Sequence, residues 1–557
     1  MKARIWACSI FALTFVVMLI AANPTGNFPL NDDWNYGWSV KNLVEQKSYL
    51  ITCWTLTAAV TQVLAGAGAC AVTGFSFDTL RAVTWVFSLL GVGALFLLLR
   101  QAQSSPAVAL AGAALLMVNP LYFELSNTFM TDVPFIALST LLSYFLVRAI
   151  KDGRRDDLLI ATVLAVLTVL TRQVGIVIPV AFAIVNLLRK KEKNFALGFL
   201  PVAFALAAIV IYQIWLASTP FDLFSYRAEH VYLRQMLAGG PIPVLLGTVI
   251  NFVRAFVYLG LFAFPFIVSF IRPVLSSFDK TQRGFFLMLS AELLVLVFGG
   301  LLYGGSMMPL GDNVLFNFGL GPILVAQRIG LESWPSAPYS FWALITLAGV
   351  FGGSVLFSLM VLRAINLRKD WGGSDVSVNH CLALFFLLVI LQYLAVECFR
   401  GFFDRYLLLP LPYMMALYAV SMHIEERISE SNNNLILCSL GTLTLLTFAF
   451  FSIAATHDYF EFNRTRWRAL NHLTATDKVS PMSIDGGLEF NGWIGYMPEY
   501  RNNGGIVLSQ DMTHGSDYLI TLGRAKGYDV MRRYWFVRWL TPGIGQIFVL
   551  RKQNVPG

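Results

Sequence analysis

The sequence predicts an all-α polytopic membrane protein carrying a small α/β domain at its C-terminal end. Three observations support that reading. Of the 557 residues, 57% are apolar and 13% charged, against roughly 25% charged in an average soluble chain, and the mean hydropathy is +0.66. Lys and Arg gather in short segments between long apolar runs, and beyond residue 455 those runs stop. The net charge of +8 therefore reads as membrane topology, with basic loops on the cytoplasmic side, and not as a nucleic-acid surface. The six His and six Cys show no HExxH or CxxC spacing, so no zinc site is legible.

Residues 5–22 form an apolar run behind Lys2 and Arg4, and this basic start favours an uncleaved first helix over a signal peptide. Residues 23–80 read as a long outer loop with two helices lying along the membrane surface. One is the amphipathic stretch from Trp34 to Val44, the other the Ala-, Gly- and Thr-rich stretch from Leu56 to Val72. Cys53 and Cys70 share this loop and could pair in an oxidising compartment. Spans follow at 82–99, 106–123, 132–149, 157–171, 174–188, 195–216, 246–271, 284–303, 339–362, 381–396, 406–422 and 435–455.

Counted from a cytoplasmic start, these spans place Arg100, Arg148 to Arg155, Arg189 to Lys193, Arg272 to Arg283, Arg363 to Lys369 and Arg427 inside. That agreement gives about thirteen helices and an outer C-terminus. The runs 157–171 and 174–188 fall short of the ~20 residues of a full crossing and read as a hairpin with Arg172 at its outer tip. Residues 1–455 thus form the membrane domain. Residues 456–557 form an extracytoplasmic domain of ordinary size, including Asp517 to Ile520, with short apolar strands such as Ile547 to Leu550, a turn at Gly486-Gly487 and a glycosylation sequon at Asn463-Arg464-Thr465.

Ionisable groups near membrane depth are costly and mark function by default. Here they converge on one face. Asp32 and Asp33 open the first outer loop beside apolar Leu30 and Trp34, where a carboxylate suits a general base or metal ligand, or simply a helix N-terminus. Glu124 and Asp132 lie in the second outer loop, with helix capping the alternative for Asp132 and a solvated loop acid the alternative for Glu124. Arg172 tips the short hairpin, and Glu397, Arg400, Asp404 and Arg405 surround Phe402-Phe403, where Asp404-Arg405 also fits a plain interfacial charge pair. Guanidinium forks match phosphate oxygens, and carboxylates take protons or hold divalent ions.

Four motifs, in order and on one side, resemble the GT-C class of integral-membrane glycosyltransferases, especially the branch of protein O-mannosyltransferases and bacterial aminoarabinose transferases. Asp32-Asp33-Trp34-Asn35-Tyr36 looks like the family's acidic loop with its nearby Tyr. Thr128-Phe129-Met130-Thr131-Asp132-Val133-Pro134 looks like its second acidic motif. Leu170-Thr171-Arg172 looks like the turn that reaches the lipid phosphate, and Arg405-Tyr406-Leu407-Leu408-Leu409-Pro410 like its Arg-Tyr-Leu-Leu-Pro segment. Asp33 departs from the Glu of better-known members and leaves open which acid is the base. No Trp-Trp-Asp motif stands in the C-terminal domain, which argues against an oligosaccharyltransferase.

The resemblance implies transfer of a sugar from a polyprenyl-phosphate-linked donor to a hydroxyl acceptor (lipid, glycan or protein) on the outer face, with inversion. It makes Asp32 or Asp33 the base, gives Asp132 an acceptor-orienting or metal-binding role, and sets Arg172, Arg405 and Tyr406 on the lipid phosphate. Tyr36, Glu124 and Arg400 are further candidate substrate contacts. The resemblance fixes no cofactor; a divalent ion, Mg or Mn, on Asp33 and Asp132 stays open. The expected location is a bacterial inner membrane. A transporter or flippase of lipid-linked sugars is the alternative, though the acids lie outside rather than at mid-membrane and no repeat is visible. A scaffold using Asp485-Gly486-Gly487-Leu488-Glu489 as a partner surface is a third reading.

Overall fold

The computed structural model describes residues 2–189, 195–219, 224–311, 313–370, 377–422, 432–495 and 516–553. The basic stretch 190–193 and Arg427 lie outside them. The chain opens with α1 (Lys2–Ala22), α2 (Asp33–Gln46) and α3 (Val60–Thr73), the last two falling on the expected surface helices. Then come α4 (Phe77–Gln101), α5 (Pro106–Val118), α6 (Pro120–Ser126), α7 (Asp132–Asp152), α8 (Arg155–Val169), α9 (Val177–Leu188), α10 (Leu200–Ala217) and α11 (Phe224–Ala238). The second half holds α12 (Pro241–Ser276), α13 (Lys280–Tyr303), α14 (Tyr339–Asp370), α15 (Val378–Arg400), α16 (Pro410–Val420), α17 (Asn432–Asn471) and α18 (Leu488–Gly495).

Local chemistry sets many of the boundaries. Ser76 and Ser105 cap α4 and α5 by accepting from Thr79 N–H and Val108 N–H, and Asp279 with Gln282 forms a capping box at α13. The apolar run 106–123 is not one straight helix. Pro120 has no N–H to continue α5, Asn119 restarts the chain by capping α6, and the two axes differ by 61°. The bend turns α6 inward, carrying Glu124 with it.

By length and hydropathy, eight described helices can cross a membrane, or nine with α5 and α6 as one span. Each expected apolar run falls on a helix, but α8, α9 and α16 are shorter than that measure requires. The break after α8 is real: Arg172 is extended, with φ −144°. Its two arms diverge, α8 packing on α7 and α10 and α9 on α15.

One apolar cluster runs through the helices. Its tightest seam joins α12 and α14, where a Cβ on Gly260 would lie 2.0 Å from the Gly353 nitrogen; small residues let membrane helices approach this closely.

The C-terminal sheet has strands β1 (Ile484–Asp485), β2 (Tyr518–Thr521), β3 (Tyr528–Arg538) and β4 (Gly543–Lys552) in the order β1-β2-β4-β3. β1 and β2 are parallel and the other pairs antiparallel. Its core is shared: Phe536, Ile547 and Val549 pack with Phe460 and Leu470 of α17, with Val325 and Trp334, and with Phe28 and Leu30 of the first loop. α17 runs through position 455 unbroken, so no backbone break marks a boundary there. Asn463 is buried inside α17, donating to the Tyr459 carbonyl, which removes it as a glycosylation acceptor. No disulfide joins Cys53 and Cys70, which are buried in different apolar clusters.

Candidate functional site

The first loop, the α6–α7 connection, the break after α8 and the segment before α16 meet at one place. Asp33 pins two of them together. Its Oδ1 accepts the Phe129 N–H at 2.8 Å and its Oδ2 the Leu30 N–H at 3.3 Å, in full burial. Burial raises its pKa to about 7, against the opposing charge of Arg81 and the two backbone donors. Asp32 faces the other way and remains partly open, with 18% of its side chain exposed. Its Oδ1 accepts from Trp54 Nε1 at 3.1 Å and its Oδ2 lies 3.5 Å from Arg405. Although Asp32 stands at the N-cap position of α2, its side chain makes no capping bond. The acidic pair is therefore more than a helix start.

Asp132 opens α7 and is not its cap. Its carboxylate pairs with the Arg172 guanidinium at 2.9 Å, both buried, and Arg172 Nε donates to Thr131 Oγ1 at 2.8 Å. Tyr406 stands between the two arginines, with Arg172 5.0 Å and Arg405 5.5 Å from its ring centroid. Tyr393 donates to the Tyr406 carbonyl and fixes this turn. Arg405 is buried, yet its Nε and Nη1 have no hydrogen-bond partner. Burial opposes its charge, but Asp132, Tyr406 and Asp32 hold its pKa above the ordinary arginine value. A buried guanidinium with two idle donors is matched to a tetrahedral oxyanion.

Tyr36 lies on α2 with its hydroxyl 3.5 Å from Thr57; burial first, then the Asp32 charge, pushes it up to about 12. Glu124 is not a solvated loop acid. It is 2% exposed, its Oε2 is unpartnered, and Asp33, Arg405, Asp404 and Asp132 all lie within electrostatic reach.

One candidate contact, Arg400, and one alternative, the Asp404-Arg405 charge pair, are not met near residue 400. Arg400 pairs with Glu229 of α11 and is half-exposed, because α15 ends by turning its guanidinium toward that helix. Asp404 is no interfacial ion-pair partner of Arg405. It is buried and accepts the backbone N–H groups of Asn313, Val314, Leu315 and Arg405, so it ties loop 313–315 under the site. Burial lifts it to about 6 in spite of those donors.

Two charged residues, Arg81 and Arg466, were missed from sequence, and Glu489 was read only as part of a partner surface. Arg81, one position before the expected start of its span, is fully buried, pairs with Asp78 at 3.0 Å and donates to the Gly26 and Phe28 carbonyls. Glu489 and Arg466 form a fully buried pair at 2.8 Å, and the other oxygen of Glu489 accepts the Asn31 N–H at 3.2 Å. Trp493 stacks on Trp38, centroids 4.6 Å apart. The Gly-Gly turn thus returns Glu489 to the backbone beside Asp32. Gly487 makes this possible: its φ is +94°, and a Cβ would meet the Leu324 carbonyl oxygen at 2.1 Å. This packing also removes Glu489 from any exposed partner surface.

Among the described residues no group of three or more His, Cys, Asp or Glu side chains is placed to hold a metal ion. Of the two acids offered for that role, Asp33 accepts two backbone donors, whereas Asp132 pairs with Arg172 through Oδ1 and its Oδ2 has no hydrogen-bond partner.

Residues 64–217 match the dolichyl-phosphate-mannose-protein mannosyltransferase family. The match spans less than a third of the chain. It includes the Thr128–Pro134 and Leu170–Arg172 motifs but not Asp32, Asp33 or Arg405, and over that stretch it bears out the resemblance to membrane glycosyltransferases. The fold is similar to an Archaeoglobus fulgidus oligosaccharyltransferase solved with a tethered acceptor peptide (12% identity, 85% of this chain and 58% of that one, TM-score 0.40). It is also similar to ArnT from Cupriavidus metallidurans bound to undecaprenyl phosphate (13% identity, 99% and 98%, TM-score 0.39). The chain thus spans 58% of the oligosaccharyltransferase's length. At such scores neither likeness carries weight for function. No curated protein matches the sequence.

Proposed function

We propose that this protein is a membrane glycosyltransferase that moves a sugar from a polyprenyl-phosphate-linked donor to a hydroxyl acceptor. One observation carries the reading: two buried arginines flank Tyr406, one with idle donors, beside a partly open carboxylate. The family match over 64–217 supports the donor class. In this account the donor phosphate lies against Arg405 and Arg172, and Asp132 orients Arg172. Asp32, the more open acid, receives the proton of the acceptor hydroxyl as its oxygen attacks the anomeric carbon. The bond from that carbon to the phosphate oxygen breaks, polyprenyl phosphate leaves with the electron pair, and the sugar inverts. The arginines stabilise the charge that develops on the phosphate. Asp33 holds the first loop to the α6–α7 connection. The alternation of basic segments supports a site facing away from the cytoplasm, as in a bacterial inner membrane.

The test uses purified protein and a panel of radiolabelled polyprenyl-phosphate sugars. Release of polyprenyl phosphate by wild type and its loss in Asp32→Asn supports the assignment. Full transfer in an Asp32→Asn, Arg405→Ala double variant overturns it.

A further inference from the structure

The β3–β4 hairpin runs alongside α17, and its contacts fix which end faces the membrane. At its tip the Trp539 and Leu540 N–H groups donate to the Asp458 carboxylate at 2.6 and 3.0 Å. His457 stacks on Trp539 with centroids 3.7 Å apart. Further along β3, Tyr534 meets His472 at 2.7 Å, and Arg532 pairs with Asp477. The tip therefore sits at residue 458, immediately after the apolar run 435–455 of α17, and the far end lies about 20 Å further along that helix. Leu540 packs on the same apolar cluster as the membrane helices.

Side-chain polarity changes along the hairpin in the same direction. At the tip, Val537, Trp539 and Ile544 are 57, 46 and 67% exposed, with Val537 directly opposite Ile544; Trp535, 58% exposed, stands beside Tyr534 further along β3. Toward the far end the exposed positions are mostly charged, Arg533, Asp529 and Lys552, with Met531 less open at 38%. The opposite face is committed to the core through Phe536 and Ile547, so the exposed apolar residues do not stabilise the domain itself. Leu443, Leu446 and Phe450 continue the exposed apolar surface on α17, each more than 60% open. Exposed Trp at the end of an apolar span, with Arg just beyond, is the composition of a lipid–water interface.

We propose that the tip of this hairpin, Val537 to Ile544, rests in the phospholipid interface at the end of α17 and anchors the C-terminal sheet to the bilayer. The proposal does not depend on the transferase reading. It is tested with the full chain in nanodiscs of phosphatidylethanolamine and phosphatidylglycerol containing radiolabelled phospholipid. A benzophenone amino acid is placed at exposed positions 537, 544, 526 or 552. Lipid adducts at 537 and 544 should exceed those at 526 and 552 by at least about tenfold, since interfacial burial reaches only ~5–10 Å. Equal labelling at all four positions overturns the proposal, as does an adduct at 537 or 544 that is a protein dimer. A second measurement needs no crosslinker. Lipid brominated near its headgroup should quench a fluorescence component that a Trp539→Phe variant lacks; unchanged quenching in that variant overturns it as well.

Discussion

Asp33→Asn separates the burial of a carboxyl from its chemistry. Burial lifts the Asp33 pKa from 3.8 to about 7, so between these values the folded chain holds a proton that the unfolded chain has released. The stability associated with that proton is present at low pH and is lost as pH rises through the window. At about 1.4 kcal/mol per pH unit, the loss reaches about 4 kcal/mol by pH 8. Asn has the shape of the protonated acid. Its oxygen keeps the 2.8 Å bond from Phe129 N–H, and it gives up the longer one from Leu30, at a cost of about 1 kcal/mol. The variant should therefore match wild type near pH 4.5 and exceed it by under about 1 kcal/mol at pH 5 and by about 3 kcal/mol at pH 8. Denaturant unfolding of both proteins in mixed micelles across that range measures the difference directly. A difference that stays constant from pH 5 to pH 8 would show that Asp33 ionises like an ordinary carboxylate, and the burial argument would fail.

Three other predictions concern the neighbouring charges. Arg405→Lys keeps the charge but not the two idle N–H donors, and transfer should fall about 10²- to 10³-fold in kcat with little change in thermal stability. Asp132→Asn alone leaves Arg172 buried without its partner and should cost about 3–5 kcal/mol; adding Arg172→Gln should recover most of that loss in a double-mutant cycle of unfolding free energies. Glu489→Ala strands Arg466 in the same way and should destabilise by about 3–5 kcal/mol, whereas Glu489→Gln, which still accepts from Asn31 N–H, should keep more of the stability and of the donor turnover.

The helices were legible because membrane spans announce themselves by length and hydropathy, and every apolar run falls on one. What escaped was local. The 61° bend between α5 and α6 was written in Asn119-Pro120, yet a hydropathy window averages over a single proline. Arg81 was hidden for a similar reason, as one charge at the edge of an apolar run. The face that gathers Asp32, Asp132, Arg172 and Arg405 was visible because charges are rare in this chain. Their pairings were not, since Asp32 and Arg405 are brought together only by folding. The bond from Asn31 to Glu489 spans 458 residues, and nothing in either local sequence points to the other. Asp404 looked like half of an ion pair because Arg405 follows it; its four backbone donors, three of them from 313–315, have no sequence signature.

The most direct measurement of the central claim is donor turnover by purified protein with labelled polyprenyl-phosphate sugars, wild type against Asp32→Asn and Arg405→Lys. The account predicts release of free polyprenyl phosphate by wild type with one sugar, abolished in the first variant and reduced at least about 10²-fold in the second. If all three proteins leave every donor intact and move labelled lipid across vesicles equally well, the site is not a transferase site and the protein is a lipid transporter.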